Sequence, residues 1–268
     1  MNIGVLGPLS VEHNHTSIVP TAGKPRQVLS LLALRAGRAV PVASLMEEIW
    51  GDTVPRSATT TLQTYILQLR RLIAAAIPAD AQLSSKDVLA TSYGGYRLTP
   101  VVGSYDCADF QDLAARGHLA LEAGDARTAS ALLRRALELW RGPALADVPV
   151  GPVLELEVIG MEETRLQVLQ ERIEADLRLG AFTPLIAELR MLTARYPLNE
   201  NLCAQLMTAF YRSGSPWRAL EAFRRLRSRL SDELGVEPTP RLQRLHRAIL
   251  SGDPDLEGPE HGGQALVG

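Results

Sequence analysis

Residues 59–73 read TTTLQTYILQLRRLI, and the apolar residues of this stretch recur with the period of an α-helix. These apolar residues share one side of the helix, which we expect to be buried: Ala58, Leu62, Ile66, Leu69 and Ile73, with Tyr65 and Leu72 at its flanks. Pro55 and Ser57 favour a helix start and Pro78 favours an end. We therefore predict a helix that runs to about Ala76.

The opposite side of this helix is polar but carries no carboxylate. It holds Thr60, Thr64, Leu67, Gln68 and Arg71, with Thr61, Gln63 and Arg70 at its edges. The segment from Arg56 to Ala76 contains arginines but no acidic residue, and a helix pressed against DNA phosphates excludes carboxylates because like charges repel. Gln can pair with adenine, and Thr can contact a base edge or a thymine methyl group. An ordinary Thr/Gln-rich surface helix, with Arg70 and Arg71 complementing its dipole, is the alternative interpretation.

The surrounding pattern is typical of a winged helix. Short alternating strands are predicted over 2–20, followed by a helix around Val28 to Leu34 that ends at Gly37 and a second helix stopped by Gly51. A hairpin is predicted over 88–98, around its Gly-Gly pair. Strands, three helices and a hairpin, in that order, favour an α+β winged helix-turn-helix domain whose third helix reads DNA.

Further DNA contacts are predicted outside the third helix. Thr91, Ser92 and Tyr93 lie at the hairpin, where they would reach sugar and phosphate, while Tyr96 is expected to pack inward. Lys24 and Arg26 stand at the start of the first helix, whose free amides could help to hold a phosphate. A solvated helix N-terminus would explain these two cations equally well.

The second half of the chain reads as helix pairs that turn at Gly124, Gly180 and Gly214. The separations are 56 and 34 residues, and 34 is the tetratricopeptide period. The longer gap holds an inserted loop from Arg141 to Pro152. Stacked helix pairs leave a concave surface for a protein partner, although such a bundle could also serve only to dimerise. The exposed arginines of this half, at 134–135, 224–225, 227 and 229, are either solvated or positioned to meet an acidic partner.

Charge is divided unevenly along the chain. Residues 1–103 hold 9 Lys+Arg against 6 Asp+Glu, whereas residues 104–268 hold 19 against 24, so the two halves favour different partners. We predict a winged-helix domain over 1–103, an all-α tetratricopeptide-like domain over 104–250, and a disordered tail over 251–268 that is rich in Gly, Pro and acidic residues. Neither a signal sequence nor a membrane-spanning run is present, so we expect a cytoplasmic, nucleoid-associated protein without membrane contact.

Four runs of the sequence resemble the Streptomyces antibiotic regulatory protein (SARP) family. They are GKPRQVLSLLALRAG (23–37), VPVASLMEEIWGD (40–52), TTTLQTYILQLRRLI (59–73) and YGGYRL (93–98). Residues 223–250 are similar to the end of the family's activation domain, so the resemblance covers about 1–250. It implies an OmpR-like winged helix joined to a bacterial transcriptional activation domain.

The resemblance also implies a function. Family members activate antibiotic gene clusters by binding direct repeats in double-stranded promoter DNA as side-by-side protomers or a homodimer. They recruit RNA polymerase holoenzyme, including its sigma factor. By analogy with OmpR-type helices, Thr64 and Gln68 fall on base-reading positions, and Thr61, Arg70 and Arg71 on backbone or mixed positions. OmpR-type helices often carry Arg where Gln68 stands, which is a departure from the pattern.

Other classes of function have little support. The chain has no HExxH, CxxC, Gly-rich phosphate loop or nucleophile elbow, so we expect no catalysis, no cofactor and no metal. The two cysteines stand 96 residues apart and are expected to be reduced, buried thiols. A pure interaction scaffold and a repressor are the remaining alternatives to an activator.

Overall fold

The computed structural model describes residues 1–78, 82–99, 103–253 and 256, which form two compact units. Unit 1 comprises Met1–Arg116 and Leu132–Val168, and unit 2 comprises Gly117–Ala131 and Leu169–Gly268. Unit 1 therefore extends past the domain boundary that we predicted at residue 103. Of the tail predicted to be disordered, only residues 251–253 and 256 lie within the described part of the chain.

The first ten elements follow the predicted order of strands, helices and hairpin. They are β1 (Asn2–Gly4), β2 (Ser10–His13), β3 (Thr16–Ser17), α1 (Gly23–Leu34), β4 (Ala39–Pro41), α2 (Val42–Trp50), α3 (Ala58–Ala76), α4 (Ser85–Val88), β5 (Leu89–Ser92) and β6 (Gly95–Leu98). Strands β1, β2 and β3 form an antiparallel sheet in that order. Asn14 and His15 both have positive φ in the β2–β3 turn, as a two-residue hairpin turn requires.

Helix α1 is the centre of the winged-helix core. Its residues Val28, Leu29, Leu31 and Leu32 are completely buried, and the helix packs against both α2 and α3. A helix that is apolar on most sides needs cover on most sides. Helices α2 and α3 supply part of that cover. Because α3 packs its own aliphatic side against this core, its polar side is turned away from the core.

A second antiparallel sheet, with strand order β4-β6-β5, builds the hairpin that follows α3. The β5–β6 turn uses Gly94 with φ +71°, a value that favours glycine. A Cβ atom at Gly95 would lie 2.1 Å from the carbonyl oxygen of Val40, so only glycine allows β6 to approach β4 at this point. Strand β4 and helix α4 were not among the sequence predictions.

The second half of the chain is helical, as predicted. Its helices are α5 (Asp106–Glu122), α6 (Ala126–Glu138), α7 (Pro152–Arg178), α8 (Phe182–Arg195), α9 (Glu200–Arg212), α10 (Pro216–Leu234) and α11 (Pro240–Ser251). The three predicted turn glycines, Gly124, Gly180 and Gly214, have φ values between +77° and +82° and separate α5 from α6, α7 from α8, and α9 from α10. The predicted helix pairs are therefore confirmed.

The loop between α6 and α7 and the start of α5 both belong to unit 1, where carboxylates hold them by hydrogen bonds to backbone amides. The Glu48 carboxylate of α2 accepts hydrogen bonds from the backbone amides of Gly151 and Leu154, at 2.6 and 2.8 Å. Asp106, the first residue of α5, accepts hydrogen bonds from the amides of Val5 and Leu6. Such charge-assisted bonds fix the start of α5 and α7 on the winged helix.

Unit 2 contains a buried ionic cluster on α7 and α8. The Arg172 guanidinium contacts both Asp176 and Glu188, and Asp176 also accepts a hydrogen bond from the Ser130 hydroxyl.

Within the described residues, no helix has the length and the apolar character needed to span a membrane.

Candidate nucleic-acid interface

Helix α3 has the two sides that its sequence predicts. Ala58, Leu62, Ile66, Leu69 and Ile73 are at most 2% exposed and form its core side. On the other side, the structure leaves five side chains exposed: Thr60, Gln63, Thr64, Leu67 and Arg71. Thr61, Gln68 and Arg70 are half-buried at the margins, and Arg56 is exposed just before the helix. The prediction of an outward Gln68 and an edge Gln63 is therefore wrong, because Gln63 is the exposed one of the two. The polar side is therefore free to meet a ligand.

The threonines of this side are oriented by the helix itself. The Thr64 hydroxyl donates to the carbonyl oxygen of Thr60, and the Thr61 hydroxyl donates to the carbonyl oxygen of Ser57, both at 3.0 Å. Because the hydroxyl hydrogen is used within the helix, the oxygen lone pairs and the methyl group remain for an outside partner. Those groups suit an amino group on a base edge and the methyl group of thymine.

Arg70 connects α3 to the hairpin. Its Nε and Nη2 donate to the carbonyl oxygen of Leu89 at 3.0 and 2.9 Å, and Nη2 also donates to Thr91 Oγ1 at 2.9 Å. These bonds fix β5 relative to α3, so Arg70 positions the hairpin. The resemblance had implied a backbone or mixed contact to DNA for this residue, and its donors are largely occupied within the chain.

The hairpin presents polar side chains at its tip. Tyr93 is fully exposed, Thr91 is exposed and Ser92 is half-buried. Tyr96 is half-buried in β6, opposite Thr91. Because Arg70 ties β5 to α3, Thr91 is held beside the helix, and the hairpin tip follows it.

The two cations predicted at the start of α1, Lys24 and Arg26, differ in whether their charged groups are accessible. The Arg26 guanidinium forms an ion pair with Asp147 at 3.1 Å and donates to the carbonyl oxygens of Pro20 and Asp147. Lys24 is exposed, and its Nζ lies 5.5 Å from the centre of the Trp50 ring. Arg26 is thus used within unit 1, whereas Lys24 keeps its ammonium group accessible.

Leu67 is the residue that the sequence analysis placed on the polar side without assigning it a role. It is 50% exposed, between Thr64 and Arg71 on the same side of α3. A leucine on a polar, exposed helix side gains little from folding, because half of its surface stays in water. The helical spacing already indicated that Leu67 is unusual, since it is the one aliphatic residue among the five predicted for that side.

The surroundings of two thiols and one carboxylate shift their pKa values. Burial raises the pKa of Cys203 to about 12 and raises the pKa of Cys107, so neither thiol is a thiolate at neutral pH. Hydrogen bonds from Ser84 lower the pKa of Asp87, whose carboxylate caps α4.

In the part of the chain that the structure describes, no three His, Cys, Asp or Glu residues are grouped closely enough to hold a metal ion.

These features define a class of protein: a winged-helix transcription regulator with a helical activation domain. Residues 16–98 match the family "Transcriptional regulatory protein, C terminal", and residues 105–250 match the "Bacterial transcriptional activator domain". The first match covers most of the winged helix, and the second covers the helices α5 to α10 and most of α11.

Relatives match the whole arrangement. Regulatory protein DnrI of Streptomyces peucetius is 54% identical over 97% of this chain and 96% of its own length. Transcriptional regulator RedD of Streptomyces coelicolor is 38% identical over 97% of this chain and 73% of its own length. The structure of Mycobacterium tuberculosis EmbR in complex with a low affinity phosphopeptide superimposes with a TM-score of 0.86, at 32% identity, over 96% of this chain and 68% of that one. The chain belongs to the Streptomyces antibiotic regulatory protein family, and it is a transcription regulator.

Proposed function

We propose that the protein activates the transcription of an antibiotic biosynthetic gene cluster by binding direct repeats in double-stranded promoter DNA. The observation that carries this proposal is the acid-free, exposed side of α3, supported from beneath by a buried aliphatic side. The names of DnrI and RedD as regulators, and the activator domain over 105–250, support a regulatory role. Such a protein works in the cytoplasm at the nucleoid and has no catalytic step.

In this proposal, α3 enters the major groove. Thr64 contacts a base edge from the middle of the exposed side of α3, and Gln68 pairs with adenine from the half-buried margin of that side, about one turn further along the helix. Arg71 and Arg56, near the two ends, contact phosphates on either side of the groove. Gln63, Thr60 and Thr61 complete the contacts from the first turns of α3.

The hairpin and the start of α1 contribute contacts to the DNA backbone. Tyr93, Ser92 and Thr91 reach sugar and phosphate in the adjacent groove, and Arg70 holds them at a fixed distance from α3. Lys24 adds a phosphate contact near the α2–α3 turn. Arg26 is left out of the interface, because its ion pair with Asp147 and two carbonyl contacts use its donors.

Footprinting and gel-shift titration on promoter DNA of antibiotic biosynthetic genes test the DNA-binding part. We expect protected repeats separated by about one helical turn of DNA or a multiple of it, each covered by one protomer. The affinity should fall steeply as salt is raised, because bound phosphates release counterions. Undetectable or salt-insensitive binding would instead support a pure interaction scaffold.

Two single substitutions separate the roles of neighbouring residues. Arg71→Ala should weaken binding to all sequences and reduce the salt slope by about one unit, whereas Gln68→Ala should relax the preference at one base pair by roughly 1–3 kcal/mol. Equal losses on specific and random DNA for both variants would contradict these assignments.

We further propose that the helical domain recruits RNA polymerase holoenzyme, including its sigma factor, to the promoter. In-vitro transcription with purified holoenzyme tests this step directly. Adding the protein should raise the amount of transcript from a template with the repeats and leave a repeat-less template unchanged. A lower or unchanged transcript on the first template would identify a repressor or a passive DNA-binding protein.

A further inference from the structure

Helix α11 of unit 2 carries three arginines and no acidic residue. Arg241, Arg244 and Arg247 are all exposed and follow one another at intervals of three residues, so they form a row on one side of the helix. Each interval advances about 4.5 Å along the helix axis, and the row is therefore about 9 Å long. Leu250 continues the row at its C-terminal end and is the one exposed large apolar side chain of α11.

Neighbouring elements hold this row in place without neutralising it. On the other side of α11, Leu242 and Ile249 are at most 4% exposed, and the His246 ring stacks on the Phe223 ring of α10 with 3.9 Å between the ring centres. None of the three arginines forms an ion pair within the part of the chain that the structure describes. Arg247 donates one long hydrogen bond, of 3.5 Å, to a backbone carbonyl oxygen of its own helix.

The composition of this row suits the phosphates of DNA. Protein interfaces have an apolar core, and this row offers one leucine at its end. On α10, by contrast, Arg225 and Arg227 each have a glutamate partner, so their charges are already matched within the chain. One strand of a DNA duplex carries a phosphate for about every 3.4 Å of its axis, so a carboxylate-free row of about 9 Å spans two or three phosphates.

We propose that α11 contacts DNA phosphates, as a second and sequence-independent contact in addition to the one made by α3. The chain is a winged-helix transcription regulator, so DNA is the polyanion that it meets in its work. This inference rests on the proposed function, because α3 selects the DNA that α11 then contacts. Contacts from arginine to phosphate position a protein and carry no sequence information. Helix α11 therefore raises the affinity for every DNA sequence and leaves the preference for the repeats unchanged.

Neutralising the row in the full chain tests the proposal. The triple variant Arg241→Gln/Arg244→Gln/Arg247→Gln keeps long, helix-favouring side chains and removes three charges. In gel-shift titrations this variant should bind DNA with the repeats and random DNA of equal length about tenfold more weakly than the wild type does. The slope of log affinity against log salt should become shallower by about 2 to 3 units, since each lost phosphate contact removes about 0.9.

The matched control removes the same number of charges from α10. Arg224→Gln/Arg225→Gln/Arg229→Gln alters three exposed arginines and should stay within about twofold of the wild-type affinity, because charges that lie more than about 10 Å from the DNA are screened at 0.1 M salt. Equal losses in the two triple variants would show that net charge sets the affinity and would overturn the proposal. Wild-type affinity and salt slope in the α11 variant would also overturn it.

A cleavage experiment leaves the three arginines unaltered. Ser251→Cys, at the exposed last residue of α11, carries an iron–EDTA group, and the parent chain treated with the same reagent is the control. Hydroxyl radicals from this group should cut bound promoter DNA at fixed positions relative to the repeats. Binding without such cuts would overturn the inference about α11 alone, whereas failure of the wild type to bind the repeats would overturn the proposed function itself.

Discussion

Helices α3 and α10 are both 19 residues long and carry the same net charge, but they use that charge differently. Helix α3 has two arginines and no acidic residue, whereas α10 has five arginines and three acidic residues. On α10, Arg225 pairs with Glu221 and Arg227 pairs with Glu237 across the turn to α11. Glu237 keeps its charge readily, because Arg227 lowers its pKa.

The comparison teaches that net charge does not identify a DNA-binding helix. A surface helix that stays in water tolerates carboxylates, and each one can neutralise an arginine at little energetic gain or loss. A helix that approaches phosphates tolerates none, because a carboxylate adds repulsion that no neighbour removes. The absence of acidic residues on the exposed side of α3 is therefore a stronger indication than its two arginines.

The largest expected effect on DNA binding comes from adding one carboxylate to α3. The same addition to α10 should have almost no effect. Gln68→Glu changes almost nothing in shape but should weaken DNA binding by about 100-fold or more, because the new charge would face phosphates and base acceptors. Ser231→Glu places the same charge on exposed α10 and should leave DNA affinity within about twofold of the wild type, as most changes outside an interface do. Gel-shift titration at one fixed salt concentration measures both.

A matched measurement keeps this prediction open to failure. Circular dichroism and urea unfolding of Gln68→Glu should stay close to the wild type, since Gln68 lies at the margin of the exposed side and its side chain makes no hydrogen bond among the described residues. If a normally folded Gln68→Glu variant binds the repeats as tightly as the wild type, α3 does not read the groove with this side.

The next largest expected effect is on protein stability, and it should differ between the adjacent arginines Arg70 and Arg71 of α3. Arg70→Ala removes three hydrogen bonds to Leu89 and Thr91 and should lower the free energy of unfolding by about 1–3 kcal/mol. Arg71 is exposed and makes no hydrogen bond among the described residues, so Arg71→Ala should change stability by less than about 0.5 kcal/mol. Urea unfolding followed by circular dichroism measures the difference.

DNA binding gives the second half of that test. Arg70→Ala should also weaken binding, through a misplaced hairpin, and Tyr93→Ala should then cost less in the Arg70→Ala background than in the wild type. Additive losses for these two substitutions would mean that Arg70 contacts DNA on its own account and does not act by positioning the hairpin.

Local patterns were sufficient to predict α3, its two sides and the helix turns. The core residues of α3 recur with a fixed period, and Gly124, Gly180 and Gly214 provide the positive φ that a tight helix turn favours. Each of these signals is contained in a few neighbouring residues, so no knowledge of the rest of the chain is needed. The same holds for the hairpin glycines, Gly94 and Gly95.

Contacts between distant residues could not be predicted in the same way. Arg26 and Asp147 are 121 residues apart, and Glu48 meets the amides of Gly151 and Leu154 across more than 100 residues. Nothing in the local spacing of Arg26 distinguishes an arginine that binds phosphate from one that binds a loop. Strand β4 was also missed, because its three residues pair with β6 and have no alternating pattern long enough to recognise.

The smallest expected effect concerns Leu67, the aliphatic residue on the exposed side of α3. We expect its side chain to contact the C5-methyl group of one thymine, since apolar contact with that methyl is a recognised part of base readout. Replacing each thymine of the repeat by deoxyuridine removes one methyl at a time. At one position this should weaken wild-type binding by about fourfold, the equivalent of about 0.8 kcal/mol per buried methyl or methylene group.

A double-mutant cycle assigns that methyl contact. In Leu67→Ala the same thymine-to-deoxyuridine change should have almost no effect, because the partner of the methyl group is already gone. Thr64→Ser is the matched control: it removes a neighbouring methyl of the same surface while keeping the hydroxyl that donates to Thr60. If Thr64→Ser abolishes the sensitivity to deoxyuridine and Leu67→Ala preserves it, the contact belongs to Thr64.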